Sequence, residues 1–153
     1  MVSDHLNEPS SRALEASDRL LQVCRDCESS LRTASEVAES ADLCERYCKR
    51  AAIWSRFCES LREEILRLGG DPRDSPGIAG VLHRARINIK STIGDANAIE
   101  VECAKHEDEA LRCCIEAVTA GLTPAMSALA LRFTEELAGS RSKPHTRVDD
   151  ARE

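Results

Sequence analysis

The sequence is poor in aromatic residues: among 153 positions there are two Phe, one Trp and one Tyr. A core built from this chain must therefore use small and aliphatic side chains, chiefly Leu, Ala, Ile, Val and Cys. No hydrophobic run approaches the ~18 apolar residues that a transmembrane helix needs. No stretch alternates polar and apolar residues as a half-buried β-strand does. We therefore expect a single all-α domain without a membrane span.

Net positive charge is also lacking, because 27 Asp and Glu outnumber 21 Lys and Arg and give a formal net charge of −6 at pH 7. No segment concentrates enough Lys or Arg to neutralise several phosphates, which argues against nucleic acid as a partner. The N-terminal segment MVSDHLNEPSSR lacks the apolar stretch of a signal peptide, so we expect a cytoplasmic protein.

Cysteine, in contrast, is abundant, with eight residues in the chain. Thiols stay reduced in the cytoplasm, so we interpret these residues as free cysteines rather than as a disulfide framework.

Apolar residues recur every three or four positions through most of the chain, which is the spacing of helices that pack side by side. The pattern predicts helices over residues 11–39, 41–68, 76–93, 95–121 and 124–138. The helical domain then spans residues 11–138, between a polar lead-in of residues 1–10 and a disordered polar tail of residues 139–153.

The segment LGGDP marks the main turn of the chain. Gly69 and Gly70 follow the last periodic residue of the 41–68 helix, and glycine tolerates the left-handed conformation that ends a helix. The residue before Pro72 avoids helical geometry, so we expect a non-helical turn from Gly69 to Ser75. The 76–93 helix would then cross back along the bundle and place the 41–68 and 95–121 helices parallel to each other.

Four main helices with one crossover after the second form the arrangement of ferritin-like four-helix bundles. The segment REEILRLGGDPRDSPGIAGVLHRARINIK, together with CRDCE at 24–28 and KHEDEAL at 105–111, resembles a family of uncharacterised bacterial ferritin-like proteins. The resemblance covers roughly residues 15–138. It implies a ferritin-like fold with a short crossover helix and says little about function.

Several cysteines fall on the predicted apolar stripes and are candidate metal ligands. Counting turns along the helices places Cys24, Cys58 and Cys113 at one height of the bundle, and Cys27, Glu28 and His106 about one turn away. Soft thiolates select Cu(I), Zn or Fe–S centres. The full candidate set is Cys24, Cys27, Glu28, Cys58, Cys103, His106 and Cys113. The competing interpretation is that buried cysteines are only small apolar core residues.

A di-iron site of the ferritin-like kind needs Glu-x-x-His on two helices, and the chain contains no such motif. The acidic residues between Glu100 and Glu109 are interpreted as a solvated helix face, whereas Tyr47 and Trp54 are interpreted as core residues.

Two classes of function remain. The first is a non-catalytic bundle that binds or buffers Cu(I) or Zn through interior Cys and His, or acts as a structural or stress-associated interaction protein. The second is a degenerate di-iron carboxylate redox enzyme, with Fe as its cofactor. We also predict a symmetric homodimer that covers apolar surface near the 124–138 or 76–93 helix.

Overall fold

The structure, a computed structural model, describes residues 8–72, 89 and 94–141. Within these residues every regular element is an α-helix, which confirms the predicted all-α class. The four helices are α1 (Glu8–Val37), α2 (Ala41–Arg67), α3 (Ala96–Ala120) and α4 (Pro124–Arg141).

The helix boundaries lie close to those predicted from the sequence. The helix α1 begins three residues before the predicted position 11, and α4 continues three residues past the predicted position 138. Most of the predicted 76–93 helix, and the segments 1–7 and 142–153, lie outside the described residues. Ile89 is described; it is helical and fully buried.

The glycine pair ends α2 as predicted, and its two members have different roles. Gly69 has a φ of 85°, in the left-handed region that favours glycine. A Cβ on Gly70 would collide with the end of the Leu14 side chain, so glycine lets the turn pack against α1 without displacing Leu14. Residues 69–72 are non-helical, and the remainder of the predicted turn, 73–75, lies outside the described residues.

Side-chain capping sets the starts of α2 and α3. The Ser40 hydroxyl accepts a hydrogen bond from the Leu43 amide at 3.2 Å, and an Asp95 carboxylate oxygen accepts one from the Ala98 amide at 3.0 Å. Both residues satisfy amides that have no partner within the first turn of a helix.

The helices form a four-membered arrangement in which α1 contacts α2 and α3, and α4 contacts the same two helices. The pairs α2–α3 and α1–α4 are therefore diagonal. Hydrogen bonds join Tyr47 to Glu100 and Trp54 to Glu107, so residue numbers rise together along α2 and α3. The two helices run parallel, as predicted from the sequence.

The core consists mainly of small and aliphatic side chains, with one aromatic cluster between α2 and α4. The Phe133 ring stacks on Phe57 with centroids 4.2 Å apart, and meets Trp54 edge to face at 4.8 Å. Tyr47 and Trp54 are buried, which confirms their interpretation as core residues. No helix in the described part of the chain is long and apolar enough to cross a membrane.

The aromatic cluster predicts a large loss of stability for Phe133→Ala. Removing a buried ring that contacts two others should lower the free energy of unfolding by about 3–5 kcal/mol. Leu131→Ala on the same helix is the control, because Leu131 is 56% exposed and should change it by no more than about 0.5 kcal/mol. Urea denaturation followed by circular dichroism measures both; equal effects would contradict the described packing.

Candidate functional site

The most polar part of the interior lies between the diagonal helices α2 and α3. Arg50 of α2 is 7% exposed, and Glu107 of α3 is completely buried. Charged side chains are almost never fully buried unless they are paired. These two residues are each other's partner.

The ion pair belongs to a network that also contains the only tryptophan of the chain. Arg50 Nη2 donates to Glu107 Oε1, and Trp54 Nε1 donates to Glu107 Oε2 at 3.2 Å. Each oxygen of the buried Glu107 carboxylate therefore accepts a hydrogen bond.

A second carboxylate extends the network towards the surface. Arg50 Nη1 donates to Glu100 Oε1 at 3.0 Å, and Tyr47 Oη donates to Glu100 Oε2 at 2.9 Å. The Arg50 guanidinium also lies 5.5 Å from the centroid of the Tyr47 ring. One guanidinium thus bridges two carboxylates that are two turns apart on α3.

The electrostatics of the network keep Arg50 charged. Burial lowers the pKa of Arg50, but the hydrogen bond and negative charge of Glu107, together with Glu100, outweigh burial and raise it above its ordinary value. Burial and the hydrogen bond to Glu100 also raise the pKa of the Tyr47 hydroxyl, which stays protonated as a donor.

The apolar stripe of α3 differs from the predicted one by one residue in its C-terminal half. The main predicted stripe placed His106 and Cys113 in the interior, with Cys114 on a second buried stripe. In the structure Glu107 and Cys114 are buried, while His106 and Cys113 are only partly buried. The interpretation of the acidic segment as a solvated face is wrong for Glu107. From the sequence alone a charged residue is expected to be exposed. Glu107 is buried because it forms an ion pair with Arg50.

Three thiols from three helices meet in one interior layer. Cys24 of α1, Cys58 of α2 and Cys114 of α3 are 0%, 5% and 1% exposed. Burial first, and then the neighbouring Cys114 and Cys58 thiols, raise the pKa of Cys24 well above its ordinary value. We call these residues the thiol trio. Cys114 takes the position that the sequence assigned to Cys113.

Two further thiols lie beside the ion pair. Burial first, and then the charges of Glu107 and the proximity of Cys103, raise the pKa of Cys27 well above its ordinary value. Burial also raises the pKa of Cys103, to about 12, although the Arg50 charge lowers it. Both thiols are therefore protonated at neutral pH.

The other predicted ligands lie apart from these thiols. Glu28 forms an ion pair with Arg32 at 3.0 Å on α1. Cys113 lines a surface cavity of about 450 Å³ between α1 and α3. The ring of His106 is held between two carboxylates, with Nδ1 3.3 Å from Asp26 Oδ2 and Nε2 3.3 Å from Glu102 Oε1.

Among residues 8–72, 89 and 94–141, no three His, Cys, Asp or Glu side chains are already arranged to hold a metal ion. The interior instead offers free thiols, with raised pKa values at Cys24, Cys27 and Cys103, and an ion pair whose carboxylate already accepts two hydrogen bonds. Such thiols are poor nucleophiles, because the thiolate is the reactive form.

Sequence reasoning missed Arg50, although the spacing contained a signal. Arg50 lies three residues after Tyr47 and four before Trp54, which is the same 3–4 pattern that identified both aromatic residues as core. Glu107 likewise lies four residues after Cys103 and three before Ala110. A basic residue at an interior position of one helix and an acidic residue at an interior position of another together indicate a buried ion pair.

Comparison with known proteins gives one match. The family model described as Domain of unknown function (DUF2383) matches residues 12–120. No curated protein and no solved structure matches the chain.

The ion pair predicts that removing one charge destabilises the fold more than removing both charges. Arg50→Met leaves a buried carboxylate without its cation and should lower the free energy of unfolding by about 3–5 kcal/mol. Adding Glu107→Gln removes the second charge and keeps an amide oxygen for Trp54, so the double variant should recover most of this loss. Urea denaturation of both variants measures the difference, and a double variant less stable than Arg50→Met would contradict the network.

The setting of His106 predicts a pH-dependent stabilisation of the α1–α3 contact. The hydrogen bond with Asp26 raises the pKa of His106 despite burial, and Glu102 and Glu109 add to the effect. A raised folded-state pKa means that the protonated ring stabilises the fold below about pH 6.5, its unfolded-state value. This stabilisation is lost as the pH rises through the folded-state pKa.

His106→Gln should therefore reduce the free energy of unfolding by about 1 kcal/mol or less at pH 6, with a smaller reduction at pH 8. Arg112→Gln, which removes an exposed ion pair with Glu116 on the same helix, is the control and should show no such pH dependence. A His106→Gln effect that grows with pH would contradict the assignment.

Proposed function

Since the chain belongs to the family described as Domain of unknown function (DUF2383), we propose its function from its interior chemistry. The protein is a non-catalytic helical bundle that binds a soft metal ion, Cu(I), through the thiol trio of Cys24, Cys58 and Cys114. The observation that carries this proposal is the convergence of three buried thiols, one from each of three helices.

The donor set favours Cu(I) over the other metals expected from the sequence. Soft sulfur ligands suit a soft monovalent ion, and three thiolates can surround it. Structural Zn sites are almost always four-coordinate, and the trio supplies three ligands. His106 and Glu28, which could supply a fourth ligand, are engaged with Asp26 and Arg32 respectively.

Binding requires the trio to rearrange, because the three thiols are not yet arranged around a common point. The raised pKa of Cys24 means that a metal must displace protons to bind. Affinity should consequently fall at low pH, as it does wherever ligands must be deprotonated. The ion, when bound, would supply a positive charge that offsets the thiolates in the dry interior.

The degenerate di-iron enzyme is less consistent with the interior. A di-iron centre needs free carboxylates at the middle of the bundle. Here the buried carboxylate, Glu107, already accepts hydrogen bonds from Arg50 and Trp54. We propose that the Arg50 guanidinium occupies the place that a cation would need.

A purely structural role is the second candidate, and the raised pKa values of Cys24, Cys27 and Cys103 favour it. Buried cysteines behave as small apolar residues, and Cys27, Cys103 and the trio then serve only to pack the helices closely. In this case the bundle acts as a structural or interaction module and binds no metal through its interior.

We also propose that the architecture is ferritin-like. Because α2 and α3 run parallel, the connection between them has to return from one end of the bundle to the other, which is the feature of bundles with one long crossover. The homodimer stays a prediction; the exposure of Leu131 on α4 is compatible with it.

Cys24→Ala tests the proposed metal site. Reduced protein is titrated anaerobically with Cu(I) in competition with a chromogenic chelator, and bound copper is counted. We expect Cys24→Ala to bind fewer equivalents than the native chain, because the trio loses its central thiol. Cys113→Ala is the matched control, since Cys113 adjoins the trio in sequence but is only partly buried, and it should bind as much as the native chain.

Helicity of each variant is checked by circular dichroism. Equal copper binding by Cys24→Ala and the native chain would overturn the metal site and favour the structural role.

A further inference from the structure

The cysteines divide into two groups by exposure. Five are buried, and Cys113 is partly buried beside one of them. Cys44 is partly buried and Cys48 is exposed, both near the start of α2. Packing accounts for the buried thiols, because Cys behaves as a small apolar residue. It does not account for Cys48, which faces solvent.

Cys44 and Cys48 are four residues apart on one helix, so their side chains lie on the same face. At this spacing Cβ atoms are about 5–6 Å apart. The two thiols interact: burial first, and then the neighbouring Cys48 thiol, raise the pKa of Cys44. The pair is therefore a preformed dithiol on a rigid element, accessible from solvent.

The neighbouring side chains determine how many ligands a metal would find here. Glu45 forms an ion pair with Lys49 at 3.0 Å on the adjacent face of α2. No third Cys, His, Asp or Glu in the described part of the chain completes a metal-holding group with the dithiol. An ion bound here has two sulfur ligands, which is too few for Zn and its tetrahedral preference.

Two sulfur ligands suit Cu(I), which forms linear two-coordinate complexes. Metal–sulfur bonds of about 2.3 Å on opposite sides of an ion place the sulfur atoms roughly 4.5 Å apart. Cysteine side chains whose Cβ atoms are about 5–6 Å apart can reach this separation by choice of rotamer.

We propose that Cys44 and Cys48 form a second, solvent-facing site that binds one Cu(I) ion between two thiolates. On binding, each thiol loses its proton to water and forms one S–Cu bond, and the oxidation state of copper does not change. The site is separate from the thiol trio, because Cys58 lies ten residues beyond Cys48, which is about 15 Å along the helix.

Substitution of both thiols is the first test. The reduced full-length chain and Cys44→Ser/Cys48→Ser are titrated with Cu(I) under the same chelator competition. We expect the double variant to bind one equivalent less than the native chain. Both positions face or border solvent, so the variant should keep its helicity. Cys113→Ser, which alters a single partly buried thiol, should bind as much as the native chain.

A rescue variant separates a dithiol site from a general effect of exposed cysteines. Cys44→Ser/Ala52→Cys keeps Cys48 and places a new thiol four residues further along, at a position that is exposed. This chain should regain the lost equivalent. Cys44→Ser/Lys49→Cys has the same number of thiols at adjacent positions, which do not face each other, and should not regain it.

The outcomes are distinguishable from those for the interior site. If Cys44→Ser/Cys48→Ser binds as much Cu(I) as the native chain, or the adjacent-thiol variant regains the equivalent as well as the rescue variant does, the surface site is wrong. If Cys24→Ala alone has no effect while the double variant loses one equivalent, the interior site fails and the surface site stands.

Discussion

The Arg50–Glu107 ion pair determines how the two diagonal helices of the bundle are placed. These helices do not pack backbone to backbone, so their relative position depends on side chains that reach across the centre. Removing two charges from water costs several kcal/mol each, and only close pairing and further hydrogen bonds offset this cost. A shift of α3 by one residue would leave Glu107 without Arg50 and Trp54. The pair therefore penalises alternative registers that a core of Ala, Cys and Leu alone would tolerate.

The Arg50–Glu107 pair also shows which features of the fold could be predicted from the sequence and which could not. The end of a helix depends on residues nearby in sequence, so Gly69 correctly predicted the end of α2. The spacing of Tyr47 and Trp54 likewise predicted that both residues are buried. The interior of α3 depends on a partner 57 residues away. The spacing between Cys103 and Ala110 fits His106 and Glu107 equally, and the charge of Glu107 favoured His106 as the buried residue. Local patterns specify which faces are apolar, whereas a buried charge is specified by its counter-ion.

The distribution of thiols follows from the shortage of aromatic side chains. With one aromatic cluster between α2 and α4, the rest of the interior is filled by small residues, and helices that meet through small residues lie close together. Cysteine fits such interfaces, and Cys24, Cys58 and Cys114 converge because three closely packed helices each present a small residue at one height. Close packing thus accounts for both the apolar interior and the convergence of these three thiols.

Trp54 gives this chain a built-in optical probe. It is the only tryptophan, it is fully buried, and its indole N–H donates to the carboxylate of Glu107. Its fluorescence emission therefore responds to the polarity and charge at one known point in the bundle. A shift of the emission maximum without a change in helical content would report rearrangement of the central network. A shift accompanied by loss of helix would report unfolding, so fluorescence and circular dichroism together distinguish local from global change.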